Sequence, residues 1–323
     1  VGARRYVVKK TIYAFITLLF VISFNFFLFR VSGGNPVLRM VRTQHLTPED
    51  VVDLNREFGF DRPLVVQYVT YVKDTLTFDW GRSIYSSQPV WKEITASLWP
   101  TIVLLGLGTI FATLLGIWIG VKGGWRRGGK FDTGSLFTSQ VFWSMSEAWL
   151  GMVLIWFFVG LNHFFPAGQF HSPNPPGGTI GYWIDTANHL FLPVLTLTLA
   201  YYGEYTIVMR SSLIEVMNDD FVTTARAKGV PDRLVRKRHA VPNAFLPTFT
   251  LIFLSFGFVL SGAILIEIVF SWPGIGRLTF LALGDSDYPV LQGVFLISSA
   301  TVILFNLLAD ITYGYLDPRI RQS

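Results

Sequence analysis

The sequence predicts an all-α membrane protein with six transmembrane helices and an external helical insertion after the first span. Three observations carry that expectation. The 323 residues are 51% hydrophobic and only 15% charged, a balance far too apolar for a soluble globular chain. Apolar stretches recur at the length a helix needs to cross the hydrocarbon core, about 20 residues. Lys and Arg gather at the N-terminus, at 122–130, at 210–238 and in the tail, which by the positive-inside rule puts both termini in the cytoplasm. Aromatic content of 16%, with ten Trp, suits the membrane interfaces. The net charge of +5 is small and unevenly spread, so nucleic acid is not an expected partner. There is no Cys, which excludes disulfides, thiolate metal sites and Cys nucleophiles.

Residues 1–30 form the N-terminal segment and the first span. Arg4, Arg5, Lys9 and Lys10 precede an apolar run from Thr11 to Phe29. A secretory signal has a shorter apolar region and a small-residue cleavage site, and neither is clear here, so the segment reads as an uncleaved span. Residues 31–98 change character, with mixed charges and helices of soluble type. Thr47-Pro48-Glu49-Asp50 starts a helix with capping-box spacing, Val51, Leu54 and Phe58 give it one face, and Gly59 stops it. After Asp61-Arg62-Pro63, the residues Val65, Tyr68, Val69, Val72 and Leu76 repeat the helical period. The insertion reads either as a scaffold beside the pore or as a contact for an external protein.

Residues 99–312 form a five-helix core. Its spans are read at Pro100–Val121, Ser135–Val159, Leu190–Val208 with Pro193 inside, Leu246–Val269 and Val290–Ile311. The loop 160–189 holds no Lys or Arg, and 271–289 is too polar and Gly-rich to span. Residues 313–323 are a cytoplasmic tail.

The stretch around which the core is organised lies between the fourth and fifth spans, in a cytoplasmic loop at 211–245. Asp219 and Asp220 suit the N-cap of a helix beginning at Phe221, where carboxylates also meet the positive end of the dipole. Gly229 is placed to end that helix in a left-handed conformation, and Pro231 suits the start of a second. Arg233, Arg236, Lys237 and Arg238 make the second helix basic, while Val230, Leu234 and Val235 give it an apolar edge. Pro242 is expected to hold Val241 extended and so to stop this helix before the next span.

Ala225, Gly229 and Val241-Pro242 keep the spacing of the EAA loop of ABC importer permeases. The strings TARAKG at 224–229 and RHAVPNAFLP at 238–247 are similar to the dipeptide/oligopeptide branch of that family. GNPV at 34–37, DRPLVVQY at 61–68, FDWGRS at 78–83, SWPGIG at 271–276 and LDPRIR at 316–321 resemble the same branch, so the likeness covers nearly the whole chain. The sequence departs from the signature at Thr223-Thr224, where the family has Glu-Ala, and at His239, where it has Ile.

The resemblance implies a type I ABC importer permease-like fold in a bacterial inner membrane. It implies half of a translocation pore for di- and oligopeptides, completed by a second homologous permease, two ATP-binding subunits and an external substrate-binding protein. The 221–240 helices would then dock on an ATPase subunit, with Phe221, Leu234 and Val235 as apolar contacts and Arg226, Arg233 and Arg236 as a charged rim. Ala225, Gly229 and Pro242 would shape that dock. No P-loop string is present, so ATP hydrolysis would belong to partner subunits, and no enzymatic motif or cofactor fingerprint appears. Oligosaccharide or nickel cargo is an alternative within the class.

Glu147, Glu204 and Glu267 fall inside predicted spans. Each would be costly against lipid, so each is expected at a protein interface or a wet path. Glu204 and Glu267 lie near span ends and are open to a purely structural reading, and Glu147 is the most deeply placed. Used as ion sites, the three would instead suit a secondary transporter, a reading that leaves the 211–245 loop unexplained. His163, His171, Asp185 and His189 share one external loop, but their spacings fit no compact ligand pattern, so no metal site is expected.

Overall fold

The computed structural model describes residues 2–32, 47–57, 59–175, 177–259 and 263–316. The GNPV turn at 34–37, Phe58 and the tail beyond 316 lie outside them. Among the described residues there is no β-sheet, only an isolated antiparallel bridge between Arg82 and Pro89. The chain divides into two compact units, and the division falls between Trp99 and Pro100, inside one long helix.

The first unit takes the chain up to Trp99 and again from Gly274. Helix α1 (Gly2–Phe26) closes with a π-helical turn at Phe27–Ser32 and runs antiparallel to the last helix, α13 (Tyr288–Leu316). Lys10 Nζ meets Asp310 Oδ2 at 2.9 Å at one end of this pair, and Asn25 Nδ2 donates to Gln292 O at 3.0 Å toward the other. Helix α2 (Pro48–Glu57) is capped reciprocally: the Thr47 N–H donates to Asp50 Oδ2 at 2.8 Å, and the Asp50 N–H to Thr47 Oγ1 at 3.3 Å. Gly59 follows at φ +65. Helix α3 (Leu64–Leu76) lies along α1, its Tyr68 hydroxyl 2.8 Å from that of Ser23. The core of this unit joins Phe29, Val90, Ile94, Ile275, Val290 and Leu291. Asp287 accepts from the Ser83 hydroxyl at 2.5 Å and fastens the FDWGRS string to the start of α13.

The second unit holds Pro100–Val259 and Leu265–Pro273. Helix α4 runs from Val90 to Trp125, and only its part from Pro100 belongs here. Then come α5 (Lys130–Ser144), α6 (Glu147–Ile155) with a π-helical turn at Trp156–Leu161, and the 39-residue α7 (Gly178–Val216). Short helices α8 (Asp220–Ala227) and α9 (Asp232–Leu234) lead through a π-helical turn at Val235–Ala240 into α10 (Val241–Val259). Helix α11 (Ile264–Val269) follows, and α12 (Ile275–Gly284) returns the chain to the first unit.

Helix α7 is the hub, packed against α5, α6 and α10. Helix α4 approaches it along glycines four residues apart. A Cβ on Gly116 would stand 2.5 Å from Tyr205 Cβ and 2.7 Å from Tyr202 O, and one on Gly120 would stand 2.8 Å from Thr206 O. Small residues at this spacing let helix backbones approach closely where no water is left to drive association.

Among the described residues, four helical stretches are long and apolar enough to cross a membrane: Arg5–Arg30, Val90–Trp125, Asp232–Gly257 and Tyr288–Thr312. A fifth arises if α5 and α6 count as one span, but they meet at a bend of 98°. That bend departs from the straight third span expected at 135–159. Met145 and Ser146 are both extended, with ψ 142 and 128, and Glu147 then sits in the first turn of α6, where its charge suits the helix dipole.

A second departure concerns Pro242. Val241 is helical (φ −61, ψ −44), and the helix runs on through Pro242. Proline lacks an N–H and its ring presses on the carbonyl four residues back. The wider π turn just before it relieves that clash, so the second helix of the loop continues directly into α10.

Candidate functional site

The 211–245 segment is built from the inside outward. Val222, Ala225 and Val235 are buried together, with Trp125, Val216 and Val230 packed on them. Beneath lies a second cluster, in which Met209, Leu213, Ala240 and Ala244 are enclosed by Val121, Trp125 and Phe245 among others. The loop is therefore seated on the ends of α4 and α7.

Its bend is a Schellman cap. The Val230 N–H donates to Ala225 O at 3.2 Å and the Gly229 N–H to Arg226 O at 2.9 Å, with Gly229 at φ +78. The accompanying apolar contact is Val230 in the same cluster as Ala225. Asp219 occupies the N-cap position in an extended conformation but makes no side-chain cap bond.

Trp125 is the support that sequence reasoning missed. The Arg226 and Arg236 guanidinium carbons lie 5.6 and 5.7 Å from its ring centroid, one from α8 and one from the π-helical turn after α9. Arg226 Nε also donates to Asp232 Oδ1 at 3.3 Å across the bend. Val235 is wholly buried, so it holds the loop from below. Phe221 and Leu234 are 41% and 37% exposed and form the outward apolar pair. Arg233, between them in sequence, is exposed. Pro242 lies in the first turn of α10, two residues after Ala240 of the deeper cluster.

A second anchor, also missed, joins α5 to α7. Arg210 Nε and Nη2 donate to Asp132 Oδ1 and Oδ2 at 2.5 and 2.8 Å, and the Gly128 N–H donates to the same carboxylate at 2.9 Å. Asp132 is 2% exposed. An acid two residues past the basic stretch 122–130 was the available signal. The bidentate pair ties the start of α5 to α7 one residue before the 211–245 segment begins.

The three glutamates do not share a site. Glu147, half-buried, accepts from the Tyr201 hydroxyl at 2.7 Å. Glu204 lies one turn further along α7 and is also half-buried. Glu267 is fully enclosed and accepts from the Thr101 hydroxyl at 2.9 Å, beside the Trp272 indole, which donates to Pro100 O at 2.9 Å. In the 160–189 stretch, Asp185 accepts from the Ser172 N–H at 2.6 Å and the Ser172 hydroxyl at 2.8 Å. Those bonds hold its carboxyl below the usual carboxylate range. His189 Nδ1 pairs with Asp185 O at 2.8 Å, and no group able to hold a metal forms among the described residues.

Several long apolar helices, with a solidly packed helix–Gly–helix segment between two of them, fit a multi-pass membrane protein. Residues 112–322 match the family described as "Binding-protein-dependent transport system inner membrane component". Residues 3–105 match "Binding-prot-dependent transport system membrane comp, N-term". The dipeptide transport system permease protein DppB of Escherichia coli is 36% identical over 307 residues, covering 90% of this chain and 91% of the relative. DppB of Alkalihalophilus pseudofirmus is 34% identical over 311 residues (92% and 93%). The oligopeptide transport system permease protein AppB of Bacillus subtilis is 31% identical over 316 residues (98% of each). The chain belongs to the binding-protein-dependent transport system inner membrane component family.

Proposed function

We propose that this chain is the permease subunit of an ATP-driven importer of di- and oligopeptides, forming half of the translocation pore. The observation that carries the reading is the 211–245 segment, whose inner face is packed solid while Phe221, Leu234 and Arg233 are presented outward. A connecting loop needs no such core. A surface that must transmit force from a partner does. The names of the relatives, dipeptide and oligopeptide permeases, support peptide as cargo.

In this reading the pore is completed by a second, homologous permease. Two ATP-binding subunits dock on the 221–240 segments, and an external binding protein delivers cargo. Both termini and the 211–245 segment face the cytoplasm, and α7 supplies a span at 190–208 that brings the count to six. Closure of the ATPase pair pushes on α8 and α9. Because α9 continues without a break into α10, the push is delivered to a pore helix. Glu147 and Glu204, both half-buried and each on a span, are the carboxylates placed to meet a peptide's amino group. Glu267, enclosed with Thr101, serves the fold.

The test is uptake of a labelled dipeptide into vesicles holding the complete complex. Uptake should require ATP and the binding protein and should be competed by other short peptides, not by oligosaccharides or nickel. Uptake by this chain without ATPase subunits, driven by a proton gradient, would overturn the reading.

A further inference from the structure

Within the first unit, α1, α3 and the start of α13 enclose a cavity of about 280 Å³. Drug-sized ligands occupy roughly 300–1,000 Å³, so this space suits something smaller. Its lining carries Arg30, Arg62 and Arg82 beside Asp74 and Asp79, and Arg82 Nη1 is turned to Ser87 O at 3.2 Å. At one end Arg30 Nη2 and Arg62 Cδ both lie 3.8 Å from where a Cβ on Gly59 would stand. Gln67 holds the Arg30 side chain and the Arg62 backbone: its Oε1 accepts from Arg30 Nε at 2.7 Å, and its Nε2 donates to the main-chain Arg62 O at 2.6 Å. The Arg30 guanidinium also stacks 3.6 Å over the Phe60 ring.

At the other end stand Asp74 and Asp79, the Asp79 N–H donating to Asp74 O at 2.9 Å. Neither carboxylate is in an ion pair among the described residues. Burial, and then the neighbouring Asp79 charge, push the Asp74 carboxyl above the usual carboxylate range, so a cation brought there would be welcome. The walls between are aromatic and held in place. Asn25 Nδ2 donates to Tyr71 Oη at 3.0 Å, and Trp80 Nε1 donates to Thr75 O at 3.3 Å.

Length selects the ligand. Gln67 and Asp74 are two turns apart on α3, about 10 Å at 1.5 Å per residue. An extended peptide covers about 3.3–3.6 Å per residue, so a tripeptide places its two charges at that distance. Side chains reaching inward from both ends bring a dipeptide within range, whereas a single amino acid cannot touch both.

We propose that this cavity binds a di- or tripeptide by its termini, the ammonium at Asp74 and Asp79 and the carboxylate at Arg30 and Arg62. The assignment of a peptide rests on the import reading above. The site would give the permease its own hold on cargo, apart from the binding protein.

The experiment is calorimetric titration of the full chain in lipid nanodiscs, without binding protein, using trialanine. Trialanine should bind, and alanine, N-acetyl-trialanine and trialanine amide should each bind at least tenfold more weakly. Asp74→Asn and the exposed-site variant Asp79→Asn should weaken trialanine at least fivefold and leave N-acetyl-trialanine unchanged. Arg62→Gln should do the same for trialanine while leaving the amide unchanged. No binding of trialanine, or binding that is indifferent to these substitutions, would overturn the site. Peptide uptake by the complete complex is measured beside it. Intact uptake with no trialanine bound here would sink this inference alone, and trialanine binding with no peptide uptake would sink the import reading alone.

Discussion

Deleting the Asp132 carboxylate strikes at the anchor that joins α5 to α7 just ahead of the 211–245 segment. That group accepts from Arg210 Nε at 2.5 Å, from Arg210 Nη2 at 2.8 Å and from the Gly128 N–H at 2.9 Å. Breaking a fully buried ion pair costs about 3–5 kcal/mol, because the partner is left charged and desolvated. Asp132 is 2% exposed but Arg210 is 22% exposed, so water recovers part of that loss. We expect Asp132→Ala to destabilise the fold by about 2–3 kcal/mol. Asp132→Asn, which keeps the shape and one acceptor, should cost about half as much. The assay is denaturant unfolding in detergent micelles, followed by circular dichroism, for each single variant and for Asp132→Ala with Arg210→Ala. The cycle should return a coupling of about 1.5 kcal/mol or more. A coupling below about 0.5 kcal/mol is what solvent-exposed pairs give, and it would refute the claim that this contact secures α5 to α7.

Two further outcomes follow from the same coordinates. Gly116→Ala puts a Cβ 2.5 Å from Tyr205 Cβ and 2.7 Å from Tyr202 O, so it should force α4 from α7 and cost about 1–3 kcal/mol in the same unfolding assay. Gly106→Ala on the same helix meets nothing within 4 Å and should be neutral or stabilising by about 0.5–1 kcal/mol. The Asp185–Ser172 clasp should depend on pH in one direction. Its carboxyl is held below the ordinary range, so its stabilisation is present above the unfolded pKa and is lost as pH falls through the folded one. Corrected for intrinsic exchange, the Ser172 amide should stay protected across the ordinary carboxylate range and lose protection only in stronger acid. Asp185→Asn should abolish that acid step.

Features set by a few neighbouring residues were legible in the sequence. The Thr47–Asp50 cap, the Gly59 and Gly229 stops and the long apolar runs each depend on spacing within one or two turns. What was illegible depends on partners far along the chain. Trp125 reads as an interfacial aromatic until two arginines about 100 residues later are seen to flank it. Hydropathy placed Glu267 at a depth but could not supply Thr101, 166 positions away. The extended pair Met145–Ser146 interrupts a stretch, SLFTSQVFWSMSEAW at 135–149, that holds no Gly or Pro, so no helix breaker marks the bend. At Pro242 the local rule was sound, but the π turn before it changed the geometry that the rule assumes. In the coupling segment, the charges and the bend were readable. Which apolar residues point inward was not, since Val235 and its neighbour Leu234 differ only in what lies beneath them.

If the 211–245 segment converts ATP hydrolysis into movement of a pore helix, its bend at Gly229 has to keep its shape. Gly229→Val puts that to the test. Gly229 stands at φ +78, and a Cβ there would meet nothing within 4 Å, so the whole effect comes from the backbone. An ordinary residue pays about 1 kcal/mol or more in that conformation and a β-branched one still more, so the second short helix should rotate while the spans keep their packing. Gly129→Val is the control, because Gly129 is extended at φ −81 in the neighbouring basic loop, so a side chain there meets Arg126 O at 3.3 Å but needs no left-handed backbone. ATPase activity and peptide uptake are measured in the same vesicles for both variants. Both variants should insert normally into the membrane. Gly129→Val should import normally, and Gly229→Val should either lose the ATPase subunits or hydrolyse ATP without import. Full ATP-driven uptake by Gly229→Val would mean that the segment does not couple hydrolysis to the pore.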